Sequence, residues 1–251
     1  MPCRVRLGLA AAAVGAVVVA AASAASAPLP NLVQEPPSRI SGIEVHGRWL
    51  LGFQSTVDNL GSAALVVTAS RPDLRTAAMK AFQIAGGRRV ARVGTLHFNI
   101  DPTHSHWHLL PFETYELRAL PGGALVGTAQ KSGFCLNDAK RVQPGARSLH
   151  RTRCGLEQPD LLRLVEGISP GWADVYEPHR EGQFVDITGA PAGRYAVVNR
   201  VNPGRKIRET SYADNVAATL IDLSWPDGAP LVSVAGVCLG TADCREAGAL
   251  G

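Results

Sequence analysis

Short apolar runs broken by glycine and proline set the rhythm of this chain. Residues 49–53 and 63–68 are two such runs, and Asn59-Leu-Gly-Ser62 between them carries turn chemistry. Residues 74–84 fit either a short helix or another strand, and Gly86-Gly87 ends that segment. Residues 95–100 read as a strand. Residues 112–120 alternate apolar and polar, Pro121-Gly122-Gly123 makes a turn, and 125–134 form the expected hairpin partner. A polar, loop-rich stretch follows over 138–160. Strands return at 182–188 and 194–201, separated by Pro191-Ala-Gly193 and closed by the turn Asn202-Pro-Gly204. Residues 215–223 read as the last strand, ahead of a Gly- and Ala-rich tail. Helical periodicity is scarce and no internal repeat is visible. The pattern predicts an all-β chain, an antiparallel β-sandwich with long loops.

The N-terminus has a different texture. Arg4 and Arg6 precede a mostly Ala and Val run over 7–22, followed by Ala22-Ser23-Ala24 and Ala25-Ser26-Ala27. Basic, apolar, then small is the order of a secretory signal. Cleavage after Ala24 is preferred, because a cut after Ala27 would leave Pro28 beside the scissile bond. A retained anchor is the competing reading, although the run is short for a spanning helix. The expected organisation is a signal peptide over 1–24, an extended lead-in over 25–42 and one domain over 43–251. No other segment would span a membrane, so the processed chain is expected to be secreted and extracellular.

Charge and cysteine content narrow the class. Formal charge is +4, from 25 Lys and Arg against 21 Asp and Glu. Loss of Arg4 and Arg6 lowers it to about +2, which makes no electrostatic case for nucleic acid. Cys3 would leave with the signal. Cys135, Cys154, Cys238 and Cys244 stay, an even set that reads as disulfides in an exported chain. Proximity favours Cys135–Cys154 and Cys238–Cys244 among three possible pairings. Thiolate ligation is disfavoured, because no Cys-x-x-Cys is present.

The densest chemistry lies in Asp101-Pro-Thr-His-Ser-His-Trp-His108, which holds three of the seven histidines, His104, His106 and His108. Imidazole is the commonest neutral nitrogen ligand of copper and zinc. Alternate side chains on a strand share a face at about 7 Å, so neighbours in this row can reach one ion. The outer two would stand about 13 Å apart on a flat strand, so a three-histidine site needs a bend or bulge. Pro102 suits an irregular edge. The bland alternative is a polar strand face, which the apolar neighbours Trp107, Leu109, Leu110 and Phe112 oppose. By itself the row says a transition metal, copper or zinc.

Further segments join the histidines in a recognisable order. They are Lys131-Ser-Gly-Phe-Cys-Leu-Asn-Asp138, Gly167-Ile-Ser-Pro-Gly-Trp-Ala-Asp-Val-Tyr176 and Gln183-Phe-Val-Asp-Ile-Thr188. Pro191-Ala-Gly-Arg-Tyr195, Val201-Asn-Pro203 and Glu209-Thr-Ser-Tyr-Ala-Asp-Asn-Val216 follow. In order and spacing they closely resemble the catalytic domain of the lysyl oxidase family, densely from His104 to Leu223 and thinly before residue 95. Leu29-Pro-Asn-Leu-Val33 also looks like that family's start.

The resemblance implies a secreted copper amine oxidase. His104, His106 and His108 fall on the copper ligands. Lys131 and Tyr176 fall on the two residues that become lysine tyrosylquinone, which makes them the catalytic and cofactor-forming pair. It further implies oxidative deamination of a primary amine or peptidyl lysine by dioxygen, giving an aldehyde, ammonia and hydrogen peroxide. For a lysine amine to add to an oxidised tyrosine it must be neutral, hence poorly solvated or otherwise held below its usual pKa. Lys131 and Tyr176 are 45 positions apart, so the fold has to bring them together.

Other residues keep open roles. Asp138 and Asp174 stand nearest the pair in sequence, and either would orient an amine, act as a base or cap a turn. His97 is an accessory ligand or a core-edge histidine, and His46, His150 and His179 read as ordinary loop or edge residues. The histidine segment is plainer and the cysteines fewer than in animal members, which weakens collagen or elastin as a substrate. Two other readings use the histidines without Lys131 and Tyr176. One is a non-enzymatic extracellular copper-binding β-sandwich, a carrier or buffer. The other is a zinc hydrolase, for which no His-Glu-x-x-His supplies the carboxylate base.

Overall fold

The alternating runs fold as antiparallel strands. A computed structural model describes residues 27–100, 105–129, 131 and 133–244; the expected signal peptide over 1–24 lies outside these residues, as does His104. The described residues hold β1 (Leu32–Gln34), β2 (Ser38–Val45), β3 (Arg48–Asn59), β4 (Leu65–Ser70), β5 (Met79–Ala85), β6 (Arg88–Phe98), β7 (Trp107–Leu110) and β8 (Glu113–Ala119). They continue with β9 (Ala124–Thr128), β10 (Lys140–Arg141), β11 (Arg163–Ile168), β12 (Trp172–Tyr176), β13 (Phe184–Asp186), β14 (Gly193–Val201), β15 (Val216–Ser224) and β16 (Leu231–Leu239). None of the described residues forms a helix long and apolar enough to cross a membrane.

The strands distribute over three antiparallel sheets around one core. The long β3, buried along most of its length, is the spine of the first sheet, ordered β1-β3-β12-β10 with β2 and β13 also paired to β3. The second runs β11-β4-β5-β6-β7 and the third β16-β15-β14-β8-β9. Phe53 and Val57 of β3, Met79 of β5, Leu96 of β6, Leu117 of β8, Val197 of β14 and Ile221 of β15 belong to one buried cluster. The expected all-β class is therefore what the chain adopts.

One open reading is settled and two segments depart from the expected outline. Residues 79–85 are strand, not helix, and Gly86-Gly87 closes a tight hairpin to β6 with both φ values positive (55° and 72°); glycine takes this turn without steric cost. The expected lead-in over 25–42 holds β1, which pairs with β3 from Leu32↔Asn59 to Gln34↔Val57, and the start of β2. The tail beyond 223 holds one more strand, β16, paired to β15. It is a mostly exposed edge strand with Ala and Gly at its centre, so no clean alternation marks it in the sequence.

Local restraints bring distant segments to one place. Leu109 in β7 exchanges backbone hydrogen bonds with Phe134, at 2.8 and 3.1 Å. The hairpin partner expected over 125–134 ends at Thr128, so residues from 131 onward are free to lie against β7. Disulfides join Cys135 to Cys154 and Cys238 to Cys244, the pairing that proximity favours. The first sits beside β7, where Trp107 N–H donates to the Cys154 carbonyl at 2.9 Å. Tyr176 ends β12 opposite Ser55 of β3. The Lys131 N–H donates to the Gly182 carbonyl at 2.9 Å, which draws the loop after Tyr176 back over Lys131.

Candidate active site

His108 lies in β7, while His106 lies in a bend just before it. Both residues are buried (8% exposed), with ring centroids 4.5 Å apart and planes at 75°. Their Nε2 atoms face each other at 2.8 Å. At that closeness both nitrogens can reach one transition-metal ion. A third donor, the Glu181 carboxylate, completes a group whose ligand atoms all lie within 4.8 Å of one another.

Gly133 explains how the lysine-bearing loop approaches this pair. A Cβ at Gly133 would come within 2.6 Å of the His108 Cβ and 2.7 Å of its Nδ1. Only glycine lets the loop lie against the imidazole.

Lys131 and Tyr176 are brought together. The Lys131 Nζ stands 5.0 Å from the Tyr176 ring centroid and 5.3 Å from that of Phe134. Phe134 packs edge-on against Tyr176 at 5.0 Å. Lys131 is 7% exposed, and burial lowers its amine from 10.5 to about 8, against the pull of Glu113 and Asp174. Its Nζ donates to Glu181 Oε2 at 2.8 Å. The Tyr176 hydroxyl donates to Asp174 Oδ2 and also reaches the Cys135 carbonyl at 3.3 Å. His106, His108, Lys131, Tyr176 and Glu181 line a single cleft, with Glu177 and Arg180 also in its wall.

A family model described as Lysyl oxidase matches residues 89–227, more than half of the chain, and the whole constellation lies within that span. The chain belongs to the lysyl oxidase family. Among curated relatives it is similar to human Lysyl oxidase homolog 1, at 26% identity over 200 residues, 75% of this chain and 32% of that protein. It is similar to Protein-lysine 6-oxidase of Sus scrofa at 30% identity over 114 residues, 45% of this chain and 42% of the relative. Lysyl oxidase homolog 2 of Gallus gallus matches at 30% over 114 residues, 45% of this chain and 13% of that protein. The chain thus spans about a third of the length of the human relative.

The two aspartates have different surroundings in this family member. Asp138 accepts hydrogen bonds from the backbone of Ser169, Leu149 and His150 and from the Ser148 and Ser169 hydroxyls. Burial alone would raise its carboxyl, but these donors outweigh it and hold the carboxyl below the usual range. Asp138 therefore fastens the turn around 148–150 to Ser169. Asp174 is fully buried and faces the cleft residues; burial raises its carboxyl well above the ordinary value, against the hydrogen bond from Tyr176. His97 pairs in register with His108, but its ring contacts Thr95 Oγ1 at 3.2 Å and is exposed. His150 and His179 lie outside the donor group, and so does the exposed His46.

Two carboxylates near the site have no signature in the sequence. Glu181 is one. The other is Glu113 at the start of β8, 2% exposed, which accepts from the Ser55 hydroxyl. Ser55 in turn accepts from Asn199 Nδ2 at 3.0 Å and Gln34 Nε2 at 3.1 Å. Burial pushes the Glu113 carboxyl from 4.5 up to about 7, against the Ser55 hydrogen bond and the Lys131 charge. Between those values the folded chain holds a proton that the unfolded chain has lost. Stability from this group is thus fully present below 4.5 and lost as pH rises through about 7. Glu113→Gln removes that dependence, so the variant should gain on the order of 3 kcal/mol relative to the parent on going from pH 4.5 to pH 8. Denaturant midpoints at both pH values check this. A variant that gains nothing, or loses ground, relative to the parent between the two pH values would mean that Glu113 is ionised and stabilised in place.

Proposed function

We propose that this protein is an exported copper amine oxidase that builds lysine tyrosylquinone from its own Lys131 and Tyr176. Its substrates are primary amines, peptidyl lysine among them. Each turnover consumes one amine, one dioxygen and one water, and releases an aldehyde, ammonia and hydrogen peroxide. The observation that carries this reading is the buried Lys131 amine at 5.0 Å from the Tyr176 ring centre, in the same cleft as the facing His106 and His108 nitrogens. Neither a copper carrier nor a hydrolase has a use for that juxtaposition.

His106 and His108 would hold the copper, with His104 as the third histidine of the row. When bound, copper and the quinone supply the electron-transfer chemistry, and the protein supplies position and environment. Burial lowers the Lys131 amine to about 8, which makes the free amine, the form able to bond to an oxidised ring, easier to reach than for a solvated lysine. Asp174 receives the Tyr176 hydroxyl hydrogen bond and is placed to take its proton. Phe134 and the Cys135 carbonyl wall the ring and limit its motion. Glu177 and Glu181 in the cleft wall are paired with Arg39 and with Lys131. Two disulfides among the described residues suit an oxidising compartment outside the cytosol.

The test is peptide mass mapping of copper-supplied, oxygen-exposed protein. A covalent link joining the Lys131 and Tyr176 peptides is expected. Separate peptides in a copper-loaded sample would remove the quinone and favour a copper-binding role.

A further inference from the structure

Glu181 occupies an unusual place. Its Oε2 lies 2.8 Å from Lys131 Nζ and 3.5 Å from His108 Nε2. One carboxylate therefore touches both halves of the site, the histidine pair and the lysine. Its side chain is 16% exposed, so it is withdrawn from bulk water.

The backbone around it is shaped to put it there. His179, Glu181 and Gly182 all have positive φ, at 62°, 48° and 79°. Glycine adopts this region freely, but a histidine or a glutamate does so at a cost of order 1 kcal/mol or more. The turn is pinned by Gln183 N–H to the Arg180 carbonyl at 2.7 Å and by Lys131 N–H to the Gly182 carbonyl at 2.9 Å. Strained non-glycine residues persist where the surroundings over-determine them, and they gather at functional sites. Here the strained turn directs a carboxylate inward between a lysine and an imidazole.

We propose that Glu181 is a carboxylate ligand of the metal centre, added to the histidine row, and that the same side chain sets the Lys131 amine against that centre. Two imidazole nitrogens and a carboxylate oxygen with all donor atoms within 4.8 Å form a mixed nitrogen and oxygen set, which copper(II) accepts. A carboxylate also offsets the charge of a divalent ion in a buried site. The inference rests on the copper reading, and it adds a residue that neither the histidine row nor the lysine and tyrosine pair includes.

Copper(II) titration and electron paramagnetic resonance test it on the full chain, with Glu181→Ala, the near-isosteric Glu181→Gln, and Glu44→Gln as a control at an exposed carboxylate. Glu181→Ala and Glu181→Gln are expected to weaken copper binding by about tenfold or more and to change the copper hyperfine pattern. Both should also lower the yield of the Lys131–Tyr176 link several-fold, while Glu44→Gln matches the parent in all three. A folded Glu181→Gln variant with the parent's copper affinity and spectrum would overturn the assignment and leave the amine oxidase reading untouched. A parent chain that takes up no copper would overturn both.

Discussion

Tyr176→Phe is expected to reduce amine oxidation to the level of a buffer blank while leaving copper affinity unchanged. Phenylalanine has no phenolic oxygen, so the ring cannot become a quinone under conditions that oxidise a tyrosine. His106, His108 and Glu181 form the donor group that could hold a metal among the described residues, and none of them is altered in this variant. The variant should still fold. Asp174 loses the Tyr176 hydrogen bond but keeps donors from Asn137 Nδ2 and Val175 N–H, both at 3.1 Å. Loss of one donor to a buried carboxyl costs about 1–3 kcal/mol. Peroxide release with an alkyl amine, beside copper content by atomic absorption, makes the comparison. Parent-like turnover in the variant would dispose of a tyrosine-derived cofactor. A parent that binds copper and is equally inactive would favour the carrier reading.

The second large effect is on stability. Replacing Cys135 and Cys154 together with serine opens a loop of sequence separation 19. The chain-entropy estimate for that closure is about 3 kcal/mol, or about 6–12 °C in Tm for a domain of this size. Both ends of the bond serve the site: the Cys135 carbonyl accepts from Tyr176, and the Cys154 carbonyl accepts from Trp107 N–H beside the histidines. The variant should therefore lose copper retention and cross-link yield as well as Tm. Opening Cys238–Cys244, whose separation is 6, removes a smaller constraint of about 2 kcal/mol under β16, remote from the cleft. Calorimetry on the two double variants checks the order. Equal losses of Tm, with copper retention intact in both, would count against a special role for Cys135–Cys154.

Much of the site can be read without coordinates because its residues sit in dense motifs. The histidine row announces nitrogen ligands by spacing, and Lys131 and Tyr176 stand in segments whose order points to the family. Glu181 has no such marker. It is one acidic residue in a polar loop, and such residues are ordinarily solvated. Glu113 is similarly silent, because an acidic residue opening an alternating strand gives no sign that its carboxyl turns inward. The strand pattern is legible where one face is buried and the other is not, as along β4 and β8. It fails for β16, an exposed edge.

Sequence alone determined the all-β class, the candidate ligand types and the favoured disulfides, because these follow from periodicity, residue chemistry and nearness along the chain; its resemblance to the family pointed to Lys131 and Tyr176 as the proposed cofactor-forming pair. Only the tertiary structure decided that Lys131 meets Tyr176, that the strand bends at His106, that Asp138 caps a turn while Asp174 faces the tyrosine, and that Glu181 turns inward. Each of these depends on contacts between segments far apart in the chain. Leu109 with Phe134, Tyr176 opposite Ser55 and Lys131 with Gly182 are examples. Such contacts are set by how sheets pack around a shared core, where no local pattern specifies which loop lies against which strand.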